Sequence, residues 1–412
     1  MNAPCSSNAV VSSSTGLPPA WLLTLLLAGL AGLGPFSIDA YLPAFEGIAA
    51  DLNAPLVYMQ QTLAAYLLGF GFMNLFHGAI SDAVGRKPVI LVGVTGFVLA
   101  SLACVWVQSI EWFIALRVVQ GLCVGAGVVI GRAIIRDLYP PVQAQQAMAR
   151  VTIVFGVAPA IAPMLGGWLY VTLGWHSIFG LLAAFGLALV VLVAVYLPET
   201  LALKDRQSLK LGHLMRGYRQ LLGSRSFMLL CLSSGVPFNG MFIYVLSAPA
   251  FLGSTLGLKP DQYFWFFMLA VGGIMLGAVV SSHLAHRLAA HRQILLGFLL
   301  MGGSAMVGLI FSYALQPSFF LTVIPIALFA MGWSVMMPSV MILTLDLFPQ
   351  RRGMASSLQA VLASLANGLV AGLISPWVMD SMTGLAWSAV AMWFIGALAW
   401  AVFVTTRSRA PV

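Results

Sequence analysis

Eleven acidic residues are spread over this 412-residue chain, and only Asp39 falls inside a stretch apolar enough to cross a membrane. The other ten (Glu46, Asp51, Asp82, Glu111, Asp137, Glu199, Asp205, Asp261, Asp346 and Asp380) lie in or beside the polar breaks between such stretches. An ionisable group in hydrocarbon costs several kcal/mol, about 2.5–3.5 on insertion scales, so one that is kept there marks a site of proton or ion chemistry. Arg117 is the basic residue found inside an apolar segment. Counted from Trp21 at 1.5 Å per residue, Asp39 lies about 27 Å along its helix. That puts Asp39 in the outer half of the membrane, and Arg117, which follows Trp112 closely, lies about 8 Å below the outer surface. Equal depth makes a charge pair between the two sterically reasonable.

The elements that must carry these residues follow from composition. The chain is 61% hydrophobic and 7% charged, against about 25% charged in a soluble domain, which excludes a soluble fold of this size. Twelve apolar segments are expected as membrane-spanning helices: 20–42, 57–80, 88–108, 112–133, 148–171, 176–197, 227–250, 262–285, 293–314, 319–345, 354–379 and 384–405. Each reaches the roughly 20 residues that span the hydrocarbon, and the alternating short strands of an outer-membrane barrel are missing from the pattern. The fold class is therefore an all-α membrane protein of two six-helix bundles. The expected layout is a polar tail 1–19, a first bundle 20–197, a linker 198–226, a second bundle 227–405 and a tail 406–412. The densest charge falls in the linker.

Net charge is +8, and seventeen of the nineteen basic residues fall in breaks on one side of the predicted helices. Basic loops stay cytoplasmic, so both termini are expected inside. The charge then reports topology and contact with anionic lipid of the bilayer, with no nucleic acid implied. The first nineteen residues hold no Lys or Arg, so they lack the basic start of a signal peptide. Cys5, Cys104, Cys123 and Cys231 are scattered and read as free thiols, and His283, His286 and His291 as a solvated loop. No metal and no cofactor is expected, and nothing resembles a nucleotide-binding phosphate loop.

Two further constellations stand out. Gly78 to Pro88 reads GAISDAVGRKP. Gly78 lets its helix approach a neighbour, Gly85 permits a tight turn, Asp82 can meet the positive end of an adjacent helix, and Arg86 and Lys87 anchor the loop. Gly156, Pro159, Pro163, Gly166 and Gly167 crowd the fifth segment, where small residues allow close crossing and prolines bend the helix. Tyr66, Asn74, Asn239, Phe242, Tyr244, Trp333, Met336 and Asn367 lie near the middle of their segments. They are candidate substrate-binding residues, because soft aromatic and Met-rich linings suit adaptable recognition.

The GAISDAVGRKP loop resembles the signature loop between helices two and three of the major facilitator superfamily. With SIDAYLPA (37–44), LRVVQG (116–121) and VAPAIAPMLGGW (157–168), the chain resembles the twelve-span drug:proton antiporters, in particular the bicyclomycin/chloramphenicol-resistance (Bcr/CflA) type. Ala83 stands where the family usually has Arg, Asn74 where this branch commonly has Gln, and Ala79 where it has Pro. The resemblance implies proton coupling by Asp39 and Arg117, a conformational role for Gly78, Asp82, Gly85, Arg86 and Lys87, and an antiporter motif in segment five. It implies a multi-pass transporter of the bacterial inner membrane, acting as a monomer, that exports small amphiphilic compounds in exchange for protons. The alternative is an exporter of one metabolite, such as a sugar or amino-acid derivative. An enzyme is not expected, since an intramembrane active site needs several converging ionisable groups.

Overall fold

The computed structural model describes residues 19–206, 211–285, 287–314 and 318–408, so His286 lies outside the described residues. Twelve long helices dominate it. The first six are α1 (Ala20–Asp39), α2 (Val57–Val84), α3 (Arg86–Val105), α4 (Ile110–Leu138), α5 (Pro141–Leu173) and α6 (His176–Tyr196). The second six are α7 (Arg225–Leu246), α8 (Phe264–Leu284), α9 (Ala290–Ala314), α10 (Phe319–Asp346), α11 (Arg352–Leu369) and α12 (Met382–Ser408). Among the described residues eleven helical stretches are long and apolar enough to cross a membrane, and α5 adds the shorter apolar stretch Ala158–Leu173. We call the end that carries Ala20 and Ser408 the terminal face and the opposite end the far face.

Small residues set the packing. A Cβ at Gly69 of α2 would stand 2.8 Å from the Val118 carbonyl of α4, and one at Gly121 would enter the Tyr66 carbonyl. The second half repeats the device between α8 and α10, where Gly273 and Gly277 back onto the carbonyls of Ala327 and Met331. Without a hydrophobic drive between helices in lipid, such close backbone approach supplies the attraction. Gly78 contributes less than expected. A Cβ there would make an ordinary 3.6 Å contact with Val129.

The halves meet at the far face. α2 packs on α11 and α5 on α8. The side-chain amide of Gln60 donates to the Leu246 carbonyl at 2.9 Å and that of Gln61 to the Gly372 carbonyl at 2.8 Å. Gly167 of α5 faces the Pro260 carbonyl, where a Cβ would stand 2.5 Å away. At the terminal face the connection runs through a helix that the sequence reading treated only as linker, Leu211–Leu222. Tyr218 and Leu221 of this helix pack with Phe227, Ala355 and Leu358 of the second half. The Tyr218 hydroxyl crosses to the Leu75 carbonyl of α2 at 3.2 Å.

Candidate functional site

α1 ends at Asp39, one turn beyond Pro35. The chain does not leave the bundle there. A short 3-10 turn, Leu42–Ala44, and a helix, Phe45–Asp51, continue with Tyr41, Leu42 and Phe45 fully buried. That return roofs the end of α1, which is why Asp39 is only 6% exposed although it closes its helix. Among the described residues its carboxyl makes no ion pair within 4.0 Å.

Arg117 is fully buried on α4, and four helices converge on it. Its Nη1 donates to Gln120 Oε1 at 2.8 Å, and Gln120 Nε2 passes the link to Ser101 of α3 at 2.7 Å. The same Nη1 reaches the Ser37 carbonyl of α1 at 3.5 Å. The guanidinium carbon lies 4.2 Å from the ring centre of Tyr41 and 4.3 Å from that of Tyr66. A desolvated cation over an aromatic face is stabilised by roughly 2 kcal/mol. The Tyr66 hydroxyl meets Ser37 Oγ at 2.7 Å, and that of Tyr41 meets Thr62 at 3.1 Å, so both rings are fixed from behind. Among the described residues Arg117 Nε and Nη2 have no hydrogen-bond partner.

The direct Asp39–Arg117 pair suggested by equal depth is therefore not formed. Tyr66 and Ser37 hold the Arg117 side of α1, and Asp39 lies beyond them at the helix end. The residues that sequence reasoning missed are Tyr41, Gln120, Ser101 and Ser37. Gln120 was visible, one helical turn from Arg117 within LRVVQG, and Ser37 and Tyr41 flank Asp39 within SIDAYLPA; Ser101 comes from a separate helix.

α5 supplies the neighbour of Asp39. Gly166 backs onto the Ala40 carbonyl so closely that no side chain could stand there. Pro159 and Pro163 lie inside the same helix. Gly156 falls in a stretch of α5 whose surroundings are outside the described residues. The fifth-segment motif thus grips the end of the helix that carries the acid on one side and, through Gly167, the second half on the other.

The loop between α2 and α3 forms a charge network. Arg86 pairs with Asp82, donates from Nε to Asp137 at 3.1 Å and bonds Ser81 Oγ at 2.7 Å. Asp82 meets the start of α3 through Arg86, while Glu199, from the segment after α6, caps that helix: its carboxylate accepts the backbone N–H of Arg86 at 2.9 Å and of Lys87 at 3.2 Å. Lys87 Nζ reaches the Ala194 carbonyl at 2.8 Å. Gly85 adopts φ +117°, where an L side chain is strained. A Cβ there would also stand 2.5 Å from Glu199 Oε2. The network closes with Ala83 in place of the usual Arg.

The substrate candidates separate into five places. Tyr66 belongs to the Arg117 cage. Asn74 sits between α2 and α4, its Oδ1 unpaired and facing Gly125 beside the equally unpaired Nδ1 of His77. Met336 is fully buried against Gly297 in the packing of the second half. Asn239, Phe242, Trp333 and Asn367 lie on α7, α10 and α11, where Trp333 Nε1 donates to the Ser234 carbonyl at 2.9 Å. Phe238 stacks on Phe242 and lies 4.9 Å from Trp333. The side-chain oxygens of Asn239, Gln359 and Asn367 are unpaired, so this shelf offers acceptors beside aromatic faces. Tyr244 points elsewhere, into a cavity inside the second half.

The sequence pattern that describes the Major Facilitator Superfamily matches residues 24–371. The chain is 30% identical to the bicyclomycin resistance protein homolog of Haemophilus influenzae, covering 94% of this chain and 97% of the relative. It is 29% identical to multidrug resistance protein D of Escherichia coli, covering 94% and 97%. Its fold matches the crystal structure of a D-xylose-proton symporter with a TM-score of 0.73 at 16% identity, over 93% of this chain and 96% of that one.

Proposed function

This chain belongs to the major facilitator superfamily, and from that premise we propose that it exports small amphiphilic drugs across the bacterial inner membrane in exchange for protons. The observation that carries the reading is the arrangement around α1. A buried carboxyl ends the helix, a buried cation with idle donors lies against its preceding turn, and a glycine of α5 is wedged on its last carbonyl. The names of the full-length relatives support drugs as cargo. The basic breaks support an orientation with both termini in the cytoplasm. The far-face seal then corresponds to the side away from the cytoplasm, and the state described is inward-facing.

The steps follow from the geometry. Drug enters from the cytoplasm and settles on the acceptor and aromatic shelf of α7, α10 and α11, while Asp39 releases its proton. An ionised Asp39 is drawn toward the free Nε and Nη2 of Arg117, since an unpaired charge in hydrocarbon is costly. The end of α1 moves, and α5 follows because Gly166 leaves no slack against Ala40. The far-face contacts at Gln60, Gln61 and Gly167 open, and the two halves rock to expose the shelf outside. Protonation of Asp39 from the outside then releases α1 and the drug. The Arg86 network holds the ends of α2, α4 and α6 as one body during the swing.

A susceptibility panel in a host that lacks its own major pumps tests the reading. Expression should raise resistance to chloramphenicol, bicyclomycin, a fluoroquinolone or a lipophilic cation, and a protonophore should cancel the effect. No protection against any of the four, with protein present in the membrane, would point instead to a single-metabolite exporter.

A further inference from the structure

The helix Leu211–Leu222, which joins the two halves, has no task in the transport cycle above. The sequence around it is one-sided in charge. From Gln207 to Arg225 it carries Lys210, Arg216, Arg219 and Arg225 and neither Asp nor Glu. Arg216, Arg219 and Arg225 are exposed, and among the described residues their side chains make no ion pair and no hydrogen bond. Arg351 joins the group by bonding Gln220 of the same helix beside Gly217. Asp346, the acid at the end of α10, is taken by Arg352 at 3.0 Å. α7 and α11 begin beside the linker helix, and their N-termini add partial positive charge.

The helix is seated from within. Gly217 lies so close to Met354 of α11 that a Cβ would stand 2.5 Å from its sulfur, and Leu221 is fully buried. Tyr218 bonds the Leu75 carbonyl of α2. Leu75 lies inside the span 57–80, about 8 Å along the helix from the end of that span. The linker helix therefore runs along the edge of the hydrocarbon. Its outward side is mixed. Met215 and Leu222, one turn either side of Tyr218, are 49% and 46% exposed. Arg219 shares their face at i, i+4, i+7 spacing, and Arg216 stands beside it. Phe72, one turn before Leu75 on α2, is exposed as well, which extends the apolar surface next to the helix. Apolar side chains beside cations suit a helix lying in the interface, with the former among acyl chains and the latter reaching up to the headgroups.

We propose that the linker helix is a binding element for anionic phospholipid in the leaflet at the terminal face. Arg216, Arg219, Arg225 and Arg351 take the headgroup, and Met215 and Leu222 enter the acyl region. Basic clusters of this density attract anionic lipid, an effect beyond the mere cytoplasmic bias of basic loops. A zwitterionic lipid would leave the cations uncompensated, and a soluble phosphate would leave the two apolar side chains in water. Tyr218 touches the first half while Gly217 and Leu221 touch the second, so a lipid that presses the helix into place also ties the halves at this face. The proposal rests neither on the cargo nor on proton coupling.

The test uses the purified full-length protein in nanodiscs of phosphatidylcholine, with or without phosphatidylglycerol. Hydrogen–deuterium exchange over residues 211–222 should slow at least about fivefold when phosphatidylglycerol is present, and native mass spectrometry should show that lipid retained in preference to phosphatidylcholine. Arg216→Gln, Arg219→Gln and Arg225→Gln together should abolish both effects, each arginine contributing about fivefold. If the triple variant loses its fold, Arg219→Gln alone decides. Met215→Ser with Leu222→Ser, which keeps every charge, should remove most of the protection. Arg287→Gln with Arg292→Gln, at the break between α8 and α9, should change neither readout. Inorganic phosphate added to phosphatidylcholine discs should not slow exchange. Equal exchange in the two kinds of disc, an undiminished preference in the arginine variants, or an equal loss in the Arg287 and Arg292 variant would each overturn the proposal. Protection by inorganic phosphate would overturn it too, and mark a site for soluble anions.

Discussion

Arg117 holds a full positive charge out of water with one short side-chain hydrogen bond, one long contact to a carbonyl and two aromatic faces. Its two idle donors cost about 1–3 kcal/mol each, which offsets much of what the rings contribute. Even buried ion pairs can often be replaced by apolar side chains at no loss of stability, and Arg117 has no acid partner within 4.0 Å among the described residues. The residue is therefore a poor device for stability and a good one for work. Arg117→Met should keep the thermal midpoint within a few degrees of wild type, or raise it, while export falls at least about tenfold. Arg117→Lys should recover export only in part, because an ammonium lacks the planar fork that spans both rings and Gln120. Export at the wild-type rate by the Met variant would show that the cation is a packing residue. Asp39→Asn keeps the volume of the acid and removes its titration. It should insert normally yet lose pH-gradient-driven efflux, and full gradient-driven efflux by the variant would end the coupling role given to this carboxyl. Both residues were legible in the sequence because a charge in an apolar run is conspicuous. The tyrosine cage was not, since aromatic residues are common in every span and nothing local marks the two that face a cation.

At the level of elements, the sequence pattern located the helices well and their ends less well. The segment 20–42 breaks at Asp39 into a turn and a short return helix that hydropathy alone cannot distinguish from a continuing span. The linker 198–226 was legible as polar, but its helix Leu211–Leu222 and the Tyr218 contact on α2 depend on a surface present only after folding. The same holds for the loop between α2 and α3. Its Gly, Asp and Arg-Lys positions were visible as a motif, whereas Asp137 and Glu199 come from distant segments and looked like ordinary loop acids. Glu199 completes the turn by capping α3, directly over Gly85. Gly85→Ala should thus meet two penalties, a strained φ and a clash with that carboxylate. Together they should cost about 1–3 kcal/mol, read as a lower midpoint in a detergent thermal-shift assay and as reduced export. A wild-type midpoint in the Ala variant would mean that the turn relaxes freely and that Glu199 does not constrain it.

For the whole molecule, the two halves, the far-face seal and the basic terminal face combine into an orientation with electrical consequences. Single cysteines at positions 216 and 290, in a Cys-free background, should resist impermeant reagents added outside, while one at 259 should react. The opposite pattern would invert the proton's entry side. Granted that orientation, Asp39 is the single acid buried within the described spans, so the simplest cycle exchanges one proton for one substrate. Export of a neutral drug then carries one net positive charge inward per turnover. A membrane potential of 100 mV, inside negative, contributes about 2.3 kcal/mol to that step, equivalent to roughly fiftyfold in accumulation. A monovalent cation exchanged for one proton moves no net charge and should gain nothing from the potential. A divalent cation should be exported poorly unless the pH gradient compensates. Proteoliposomes with the potential clamped by valinomycin and potassium, at a fixed pH gradient, separate these cases. Accumulation of a neutral substrate should rise steeply with the clamp and that of a monovalent cation should stay flat. A neutral substrate indifferent to the clamp would exclude the one-proton cycle. His77, buried beside Asn74 with an unpaired ring nitrogen, would then be the next titratable group to test for a share in the proton's path.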